Sequence, residues 1–214
     1  MLISNENYNY FHFHSQQFIG MLSKELYDSF EIIDNKIPYE PLTKRHGREM
    51  AFKWACRGGN QKCLNDTSSQ VHLVVHHDWI VPKGLESVIY CSGLRGGDKR
   101  GEWVNMWVMM QESNDSGDRS RFIAGLGCVE DLELLGDYLE TTLSTNNDNN
   151  YSVNERLAVF NSVLSSSVGV EAILKFLTKY ELEIVMIYRT TLNSLLSNVA
   201  RTVKTQQQLA LVNL

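Results

Sequence analysis

Apolar residues recur along most of this chain three and four positions apart, which is the period of an amphipathic helix. Over residues 18–30, one helical face collects Phe18, Met21, Leu22, Leu26, Tyr27 and Phe30. No stretch shows the convincing alternation of apolar and polar residues that indicates a half-buried strand. The pattern therefore predicts an all-α protein.

Short polar or glycine-containing turns separate the helical segments, and residues 37–47, which hold Pro38 and Pro41, form a break. After this break the pattern predicts helices over residues 48–56, 61–77, 82–94, 102–111, 119–128, 132–143, 154–166, 170–188 and 191–203. A last helix is predicted from residue 206, and the end of the chain at residue 214 cuts it short.

Several predicted helices carry start or stop signals at their ends. Gly58 and Gly59 form a stop signal after the second helix. Pro82 is predicted to open a helix, because the first turn of a helix tolerates a residue without an N–H group. Asp131 is a predicted N-cap, and Thr205 with Gln208 three residues later forms a capping-box pattern.

This succession of about ten short helices with no long linker favours one architecture. Short antiparallel helices that pack on their neighbours in sequence are typical of α-solenoids of the HEAT or armadillo type. Because no strict repeat motif is visible, we predict an irregular solenoid. Residues 1–214 are expected to form a single helical-repeat domain that is truncated at both ends.

The composition excludes several classes of function. The chain has 214 residues, 43% of them hydrophobic, and a net charge of −5 without a basic run, which gives no indication of nucleic-acid binding. The mean hydropathy is −0.24, and no stretch approaches the length of a membrane span. The first residues lack the features of a signal peptide, so we expect no targeting signal within this sequence.

The cysteines and three sequons point to an oxidising compartment. The chain has 4 cysteines, Cys56, Cys63, Cys91 and Cys128, without a C-x-x-C pair, and the sequence alone permits three pairings. N-glycosylation sequons begin at Asn65, Asn114 and Asn150, all in stretches that resemble polar turns or helix ends. Together these features predict a secreted or ectodomain fragment.

One pair of histidines has the spacing of a zinc site. His72 and His76 are four residues apart, as in the H-E-x-x-H motif, whose two histidines share a helix face and bind the metal. The glutamate that would activate water is replaced by Leu73, and no third ligand is identifiable. We interpret the spacing as coincidental and predict no metal site in this chain.

A basic, glycine-rich loop offers a second candidate chemistry. Arg95, Lys99 and Arg100 flank Gly96 and Gly97, a combination that could hold a phosphate group. The loop lacks the P-loop pattern and a preceding strand, so a solvated loop between helices is the better interpretation.

Several blocks of the sequence, in order, resemble a known family. REMAFKWACRGGNQKC resembles a helix–turn–helix in the C-terminal domain of the aminopeptidase N family of zinc aminopeptidases, which includes the endoplasmic-reticulum aminopeptidases. VPKGLESVIYCSGLRGG and DRSRFIAGLGCVEDLELLGDYL are similar to the two blocks that follow in that family, and the likeness runs from about residue 26 to the C-terminus.

The resemblance implies a disulfide pairing and a non-catalytic role. In extracellular family members the cysteines of this domain pair first with second and third with fourth, which implies Cys56–Cys63 and Cys91–Cys128. The H-E-x-x-H and G-A-M-E-N motifs of the family's catalytic domain are missing. Zinc is therefore expected in an absent catalytic domain, and this fragment is expected to hold no cofactor.

The family's C-terminal solenoid arches over the catalytic domain, which implies a function for this chain. It is expected to cap the active-site chamber of an extracellular, membrane-anchored aminopeptidase, to influence the access of peptide substrates, and to offer a surface for a homodimer. Arg121 and Arg95 are candidates to line the chamber and to attract the carboxylate end of a peptide.

Two other hypotheses remain open at this point. The chain could be a freestanding, secreted helical-repeat module that binds a protein partner. It could also be a small metalloenzyme built on His72 and His76, although the missing glutamate speaks strongly against that.

Overall fold

The structure is a computed structural model that describes residues 5–30, 41–144 and 151–205, together with Gln208 and Ala210. Within the first helix, side chains are described for His14 and from Phe18 onward. These parts of the chain contain eleven helices and no strand, which confirms the predicted all-α class. The helices are α1 (Asn5–Asp28), α2 (Leu42–Arg57), α3 (Gln61–His77), α4 (Glu86–Gly93), α5 (Arg100–Glu112), α6 (Ser116–Leu126), α7 (Leu132–Thr141), α8 (Val153–Val163), α9 (Ser167–Lys179), α10 (Glu181–Ile187) and α11 (Leu192–Thr202).

The helices pack as two layers in the manner of an α-solenoid. In one layer α2 contacts α4, α4 contacts α6, and α6 contacts α8. In the other layer α3 contacts α5, and α7 contacts α9. Neighbours in sequence connect the layers, with α3 on α4 and α5 on α6. The turns that lead from the first layer to the second are α2–α3, α4–α5, α6–α7 and α8–α9. They therefore lie side by side along one edge of the domain.

Aromatic side chains hold the two layers together at the centre of the domain. Trp103 on α5 is buried and donates its indole N–H to the backbone carbonyl of Leu126 on α6 at 2.9 Å. Tyr138 on α7 is also buried and donates its hydroxyl to the carbonyl of Ile123 at 3.3 Å. The rings of Trp103 and Tyr138 meet edge to face with centroids 5.4 Å apart.

Glycines allow the closest approaches between helices. A Cβ atom on Gly93 of α4 would lie 2.5 Å from the carbonyl oxygen of Thr67 on α3. A Cβ atom on Gly125 of α6 would lie 2.6 Å from the Cβ of Tyr90 on α4. Both distances are shorter than carbon and oxygen atoms tolerate without a shift of the neighbour, so side chains are excluded at these two crossings.

The orientation of α1 differs from what its amphipathic pattern suggests. The residues of α1 that contact the rest of the domain lie on one of its sides: Gly20 lies against the backbone of Gly58, and the buried Tyr27 packs on Phe52 and donates its hydroxyl to Asp66 at 2.7 Å. On the opposite side the larger apolar side chains are exposed, namely Phe18 (62%), Met21 (75%), Leu22 (66%) and Leu26 (47%). We call these four residues the outer face of α1.

Three predicted helix boundaries are wrong, and each has a local cause. The break over residues 37–47 is shorter than predicted, because α2 begins at Leu42 directly after Pro41. Pro82 does not open α4, because it belongs to a turn in which Leu85 donates to the carbonyl of Pro82 and Gly84 takes a φ of 91°. The predicted helix 170–188 is two helices, which are divided at Tyr180.

Several predicted end signals are confirmed. Gly58 is the residue after α2, and Gly59 has a φ of 77°. The carboxylate of Asp131 accepts from the backbone N–H of Leu134 at 3.0 Å and so caps α7. The backbone N–H of Gln208 donates to the hydroxyl of Thr205 at 3.2 Å, and the Thr205 N–H donates to the Gln208 side chain at 3.2 Å.

Ser152 forms a complete capping box at the start of α8, and the loss of its hydroxyl group should lower the stability of the domain. Its hydroxyl accepts from the Glu155 N–H at 3.2 Å, while the Glu155 carboxylate accepts from the Ser152 N–H at 2.8 Å. Ser152→Ala should lower the free energy of unfolding by about 1 kcal/mol, measured by urea unfolding. Ser120→Ala, at an exposed position inside α6, is the control and should be neutral or slightly stabilising. Equal effects of the two changes would contradict the capping role.

Candidate functional site

The four cysteines are paired in the way that the family resemblance implies. Cys56 is joined to Cys63 across the turn between α2 and α3, and Cys91 on α4 is joined to Cys128 directly after α6. No free cysteine remains in the chain. Two disulfides indicate folding in an oxidising compartment. None of the described helices is both long and apolar enough to cross a bilayer.

Arg121 lies near the middle of α6, in the layer that also contains α4 and α8. Its guanidinium forms an ion pair with Asp118, one turn earlier on the same helix. Both side chains are partly exposed, so salt and water screen this pair, and it contributes little to stability. The arginine is therefore available to a ligand, although its neighbour Asp118 offsets its charge.

Arg95 lies in a different place, in the turn between α4 and α5, and is much less accessible. Its side chain is 19% exposed, and its Nε atom is 3.5 Å from a carboxylate oxygen of Glu130. That distance permits ionic attraction but not a good hydrogen bond, and the Nε atom has no hydrogen-bond partner. Burial lowers the pKa of Arg95, although the nearby Glu130 carboxylate raises it. The structure does not bring Arg95 and Arg121 together.

Arg95 lines a cavity of about 450 Å³, which we call the turn cavity. It lies along the edge where the turns α2–α3, α4–α5, α6–α7 and α8–α9 adjoin, and residues after α11 close one side of it. The charged residues that line it are Arg57, Arg95, Lys204 and Glu130. From the sequence, Arg57 and Lys204 could not be associated with Arg95, because the three residues lie far apart along the chain.

A second cavity, of about 760 Å³, lies beside the starts of α6 and α8. Arg119 and Glu155 line it and form an ion pair of 2.7 Å, in which Arg119 also donates to the carbonyl of Met110. Burial alone would raise the pKa of Glu155, but hydrogen bonds from Arg119 and Ser152 outweigh it and lower that pKa. Each charge therefore has its partner inside the domain, which indicates a structural role for this pair.

The histidine pair does not form a metal centre in the part of the chain that the structure describes. The rings of His72 and His76 are neighbours on α3, with centroids 4.5 Å apart. The nearest carboxylate, that of Glu102, is 3.6 Å from Nδ1 of His72. Among the described residues, no group of three or more histidine, cysteine or acidic side chains is arranged to hold a metal ion.

Two of the three sequons can be located. Asn65 is exposed on α3, where its side chain accepts a hydrogen bond from Gln61 at 3.0 Å. Asn114 is exposed directly before α6. Asn150 lies outside the described residues. A glycan on Asn65 or Asn114 would extend into solvent.

Comparisons with known proteins identify the family of this chain. The family model of the ERAP1-like C-terminal domain matches residues 5–213. Among the curated proteins, the glutamyl aminopeptidase of Homo sapiens is 23% identical over 99 residues, which are 46% of this chain and 10% of that protein. The similar region is thus a small part of a much longer polypeptide. Because the family model covers nearly the whole sequence, this chain belongs to the ERAP1-like C-terminal domain family.

Proposed function

We propose that this chain is the non-catalytic C-terminal domain of an extracellular zinc aminopeptidase, in which it caps the active-site chamber. The observation that carries the proposal is the family match over residues 5–213. In this role the domain docks on the catalytic domain of its own polypeptide and limits which peptides reach the active site. It also offers a surface for a homodimer. The zinc ion and the catalytic residues belong to the rest of the enzyme.

The outer face of α1 supports docking on another domain. Phe18, Met21, Leu22 and Leu26 are exposed on one side of a helix whose other side already packs on α2 and α3, and the exposed Glu25 lies among them. A helix with apolar residues on one side and close contacts on the other is typical of a position between two packed layers. We assign this face to contact with the catalytic domain.

The disulfides and sequons support an extracellular location. Both disulfides are internal to the domain, and small thiols of the cytosol would keep such cysteines reduced. Asn65 and Asn114 are exposed, and both positions are compatible with N-glycosylation in a secretory compartment. We therefore place the domain in the ectodomain of a membrane-anchored enzyme.

Arg121 and Arg95 remain our candidates for attracting peptide substrates. Each guanidinium can form a charge-assisted, bidentate contact with a terminal carboxylate. Arg121 is the more accessible of the two, since it is partly exposed on α6, whereas Arg95 is mostly buried. In the intact enzyme such a contact would lie far from the scissile bond and would select peptides by length.

Leu22→Asp in the intact enzyme tests the docking proposal. The substitution places a carboxylate in the centre of the outer face of α1, and an unpaired buried charge disfavours association strongly. We expect the change to weaken the contact with the catalytic domain at least about tenfold, measured as protease sensitivity of the junction between the domains. The ratio of long-peptide to dipeptide hydrolysis should change with it.

The matched control is Leu182→Asp on α10, where the original side chain is 76% exposed at the other end of the domain. The control should leave both measurements unchanged. If Leu22→Asp behaves like the control, the outer face of α1 is not the docking surface. If the isolated chain is also stably secreted and binds a separate protein, the freestanding binding module becomes the better hypothesis.

A further inference from the structure

The turn cavity has an excess of positive charge. Three cationic side chains line it, Arg57, Arg95 and Lys204, against the single carboxylate of Glu130. Within the described part of the chain, Arg57 and Lys204 form no ion pair, and Glu130 is the acidic partner of Arg95. Like charges gathered around one cavity repel each other, and a bound anion relieves that repulsion.

The surroundings of Arg95 show that its charge is not fully balanced. The Nε atom is buried and has no hydrogen-bond partner, while an Nη atom faces the sulfur of Cys91 at 3.8 Å, a weak acceptor. Burial lowers the pKa of Arg95, the Glu130 carboxylate raises it, and the nearby charge of Arg57 lowers it. An anion in the turn cavity would stabilise the guanidinium cation in the same way as Glu130 does.

Neutral donors add to this environment on the opposite wall. Ser165 and Ser167 line the turn cavity at the start of α9, a helix of 13 residues. The positive end of the helix dipole therefore points toward the same space. Most of the positive charge at the cavity comes from the two arginines and the lysine, and the start of α9 adds to it.

We propose that the turn cavity binds an oxyanion, which Arg57, Arg95 and Lys204 hold by charge-assisted hydrogen bonds. A cavity of about 450 Å³ has room for a sulfate, a phosphate or the terminal carboxylate of a peptide together with neighbouring atoms. These ligands share one chemistry, a compact group of acceptor oxygens with negative charge. The site shares Arg95 with the proposed function and adds Arg57 and Lys204 to it, and its affinity for an oxyanion can be measured without the catalytic domain.

Binding of the anion would also stabilise the edge of the solenoid at which the turn cavity lies. Arg57 is the last residue of α2, Arg95 lies in the α4–α5 turn, and Lys204 lies in the segment after α11. One anion in contact with all three would join the end of α2 and the α4–α5 turn to the segment after α11. The expected consequence is slower amide exchange at Val203, Lys204 and Thr205 in the presence of the anion.

A thermal titration with sodium sulfate at constant ionic strength tests the site. We expect the melting temperature to rise and to saturate in the low millimolar range, because a ligand that binds only the folded state stabilises it. Arg57→Gln and Lys204→Gln alter exposed side chains and should leave the fold intact, and each should weaken the apparent affinity about tenfold. Arg95→Gln should have at least the same effect.

Arg100→Gln is the matched control, since Arg100 is an exposed arginine on α5 that pairs with Glu133 at 3.0 Å outside the cavity. It should respond to sulfate as the unaltered chain does. Sulfate also stabilises proteins generally, because it is excluded from their surfaces. A melting temperature that rises without saturation, or that rises equally in all four variants, would indicate this general effect and overturn the proposal.

Competition with a short peptide distinguishes the sources of the oxyanion. If a peptide with a free C-terminus displaces sulfate and the same peptide with a C-terminal amide does not, the natural ligand is a peptide carboxylate. If neither peptide competes while sulfate still saturates the three-residue site, the ligand is an inorganic or sulfated anion. Failure of sulfate and of both peptides to bind would end the proposal, while the docking test with Leu22→Asp would stand unaffected.

Discussion

Replacing Cys91 and Cys128 together by alanine is expected to lower the free energy of unfolding by about 4 kcal/mol. The bridge joins residues 37 positions apart, and its removal lets the unfolded chain explore many more conformations. The loop also contains α5 and α6, which supply Trp103 and Ile123, respectively, to the core. Guanidinium unfolding, followed by tryptophan fluorescence, measures the change.

The other disulfide provides the comparison. Cys56 and Cys63 are only 7 positions apart, so the same loop-entropy argument gives about 2 kcal/mol for the double alanine variant. Both variants lose one bridge and two sulfur atoms, and the difference between them isolates the effect of loop length. A larger loss from the short loop than from the long one would contradict the argument.

Gly125→Ala is expected to destabilise the domain by about 1–3 kcal/mol. The added methyl group would lie 2.6 Å from the Cβ of Tyr90, and this atom cannot rotate away because it is bonded directly to the backbone. The helices α4 and α6 would therefore have to separate. Urea unfolding measures the loss, and a change in the near-ultraviolet signal of the stacked Tyr90 and Phe122 rings would report the movement.

Gly136→Ala is the matched control in the neighbouring helix α7. Nothing lies within 4 Å of the position that its Cβ would take, so the substitution adds no clash. A helical alanine is favoured over glycine, and the control should stabilise the domain by about 0.5–1 kcal/mol. Opposite signs for the two alanine variants are the expected result, and equal signs would show that the two helices can move apart without cost.

Sequence reasoning succeeded where a local signal decides the structure. The helix predicted over residues 61–77 coincides with α3, because an asparagine cap precedes it and Asp78 ends it in a left-handed conformation. Asp131 and the Thr205–Gln208 pair are also local, since each cap forms its hydrogen bonds three residues along the chain. Such contacts do not depend on the rest of the fold.

Sequence reasoning failed where contacts between residues far apart along the chain determine the structure. The periodicity of α1 identified an apolar face but not its direction, because the side that packs inward is set by the fit of Gly20 against Gly58. The excess of charge in the turn cavity was missed for the same reason. Arg57, Arg95 and Lys204 become neighbours only when the turns of successive helix pairs are aligned. Arg95 alone was recognisable, as part of a basic loop.

The Cys91–Cys128 bridge also determines how the domain carries mechanical load. A force applied to the two ends of the chain passes from Cys91 to Cys128 through the sulfur atoms, so α5 and α6 lie outside the stretched path. A segment of 37 residues would span about 120 Å if it were fully extended. Tension cannot extend this segment while the disulfide is intact. The segment with α5 and α6 is therefore shielded from pulling, whereas α7 to α11, which follow both bridges, are among the segments that tension can draw out.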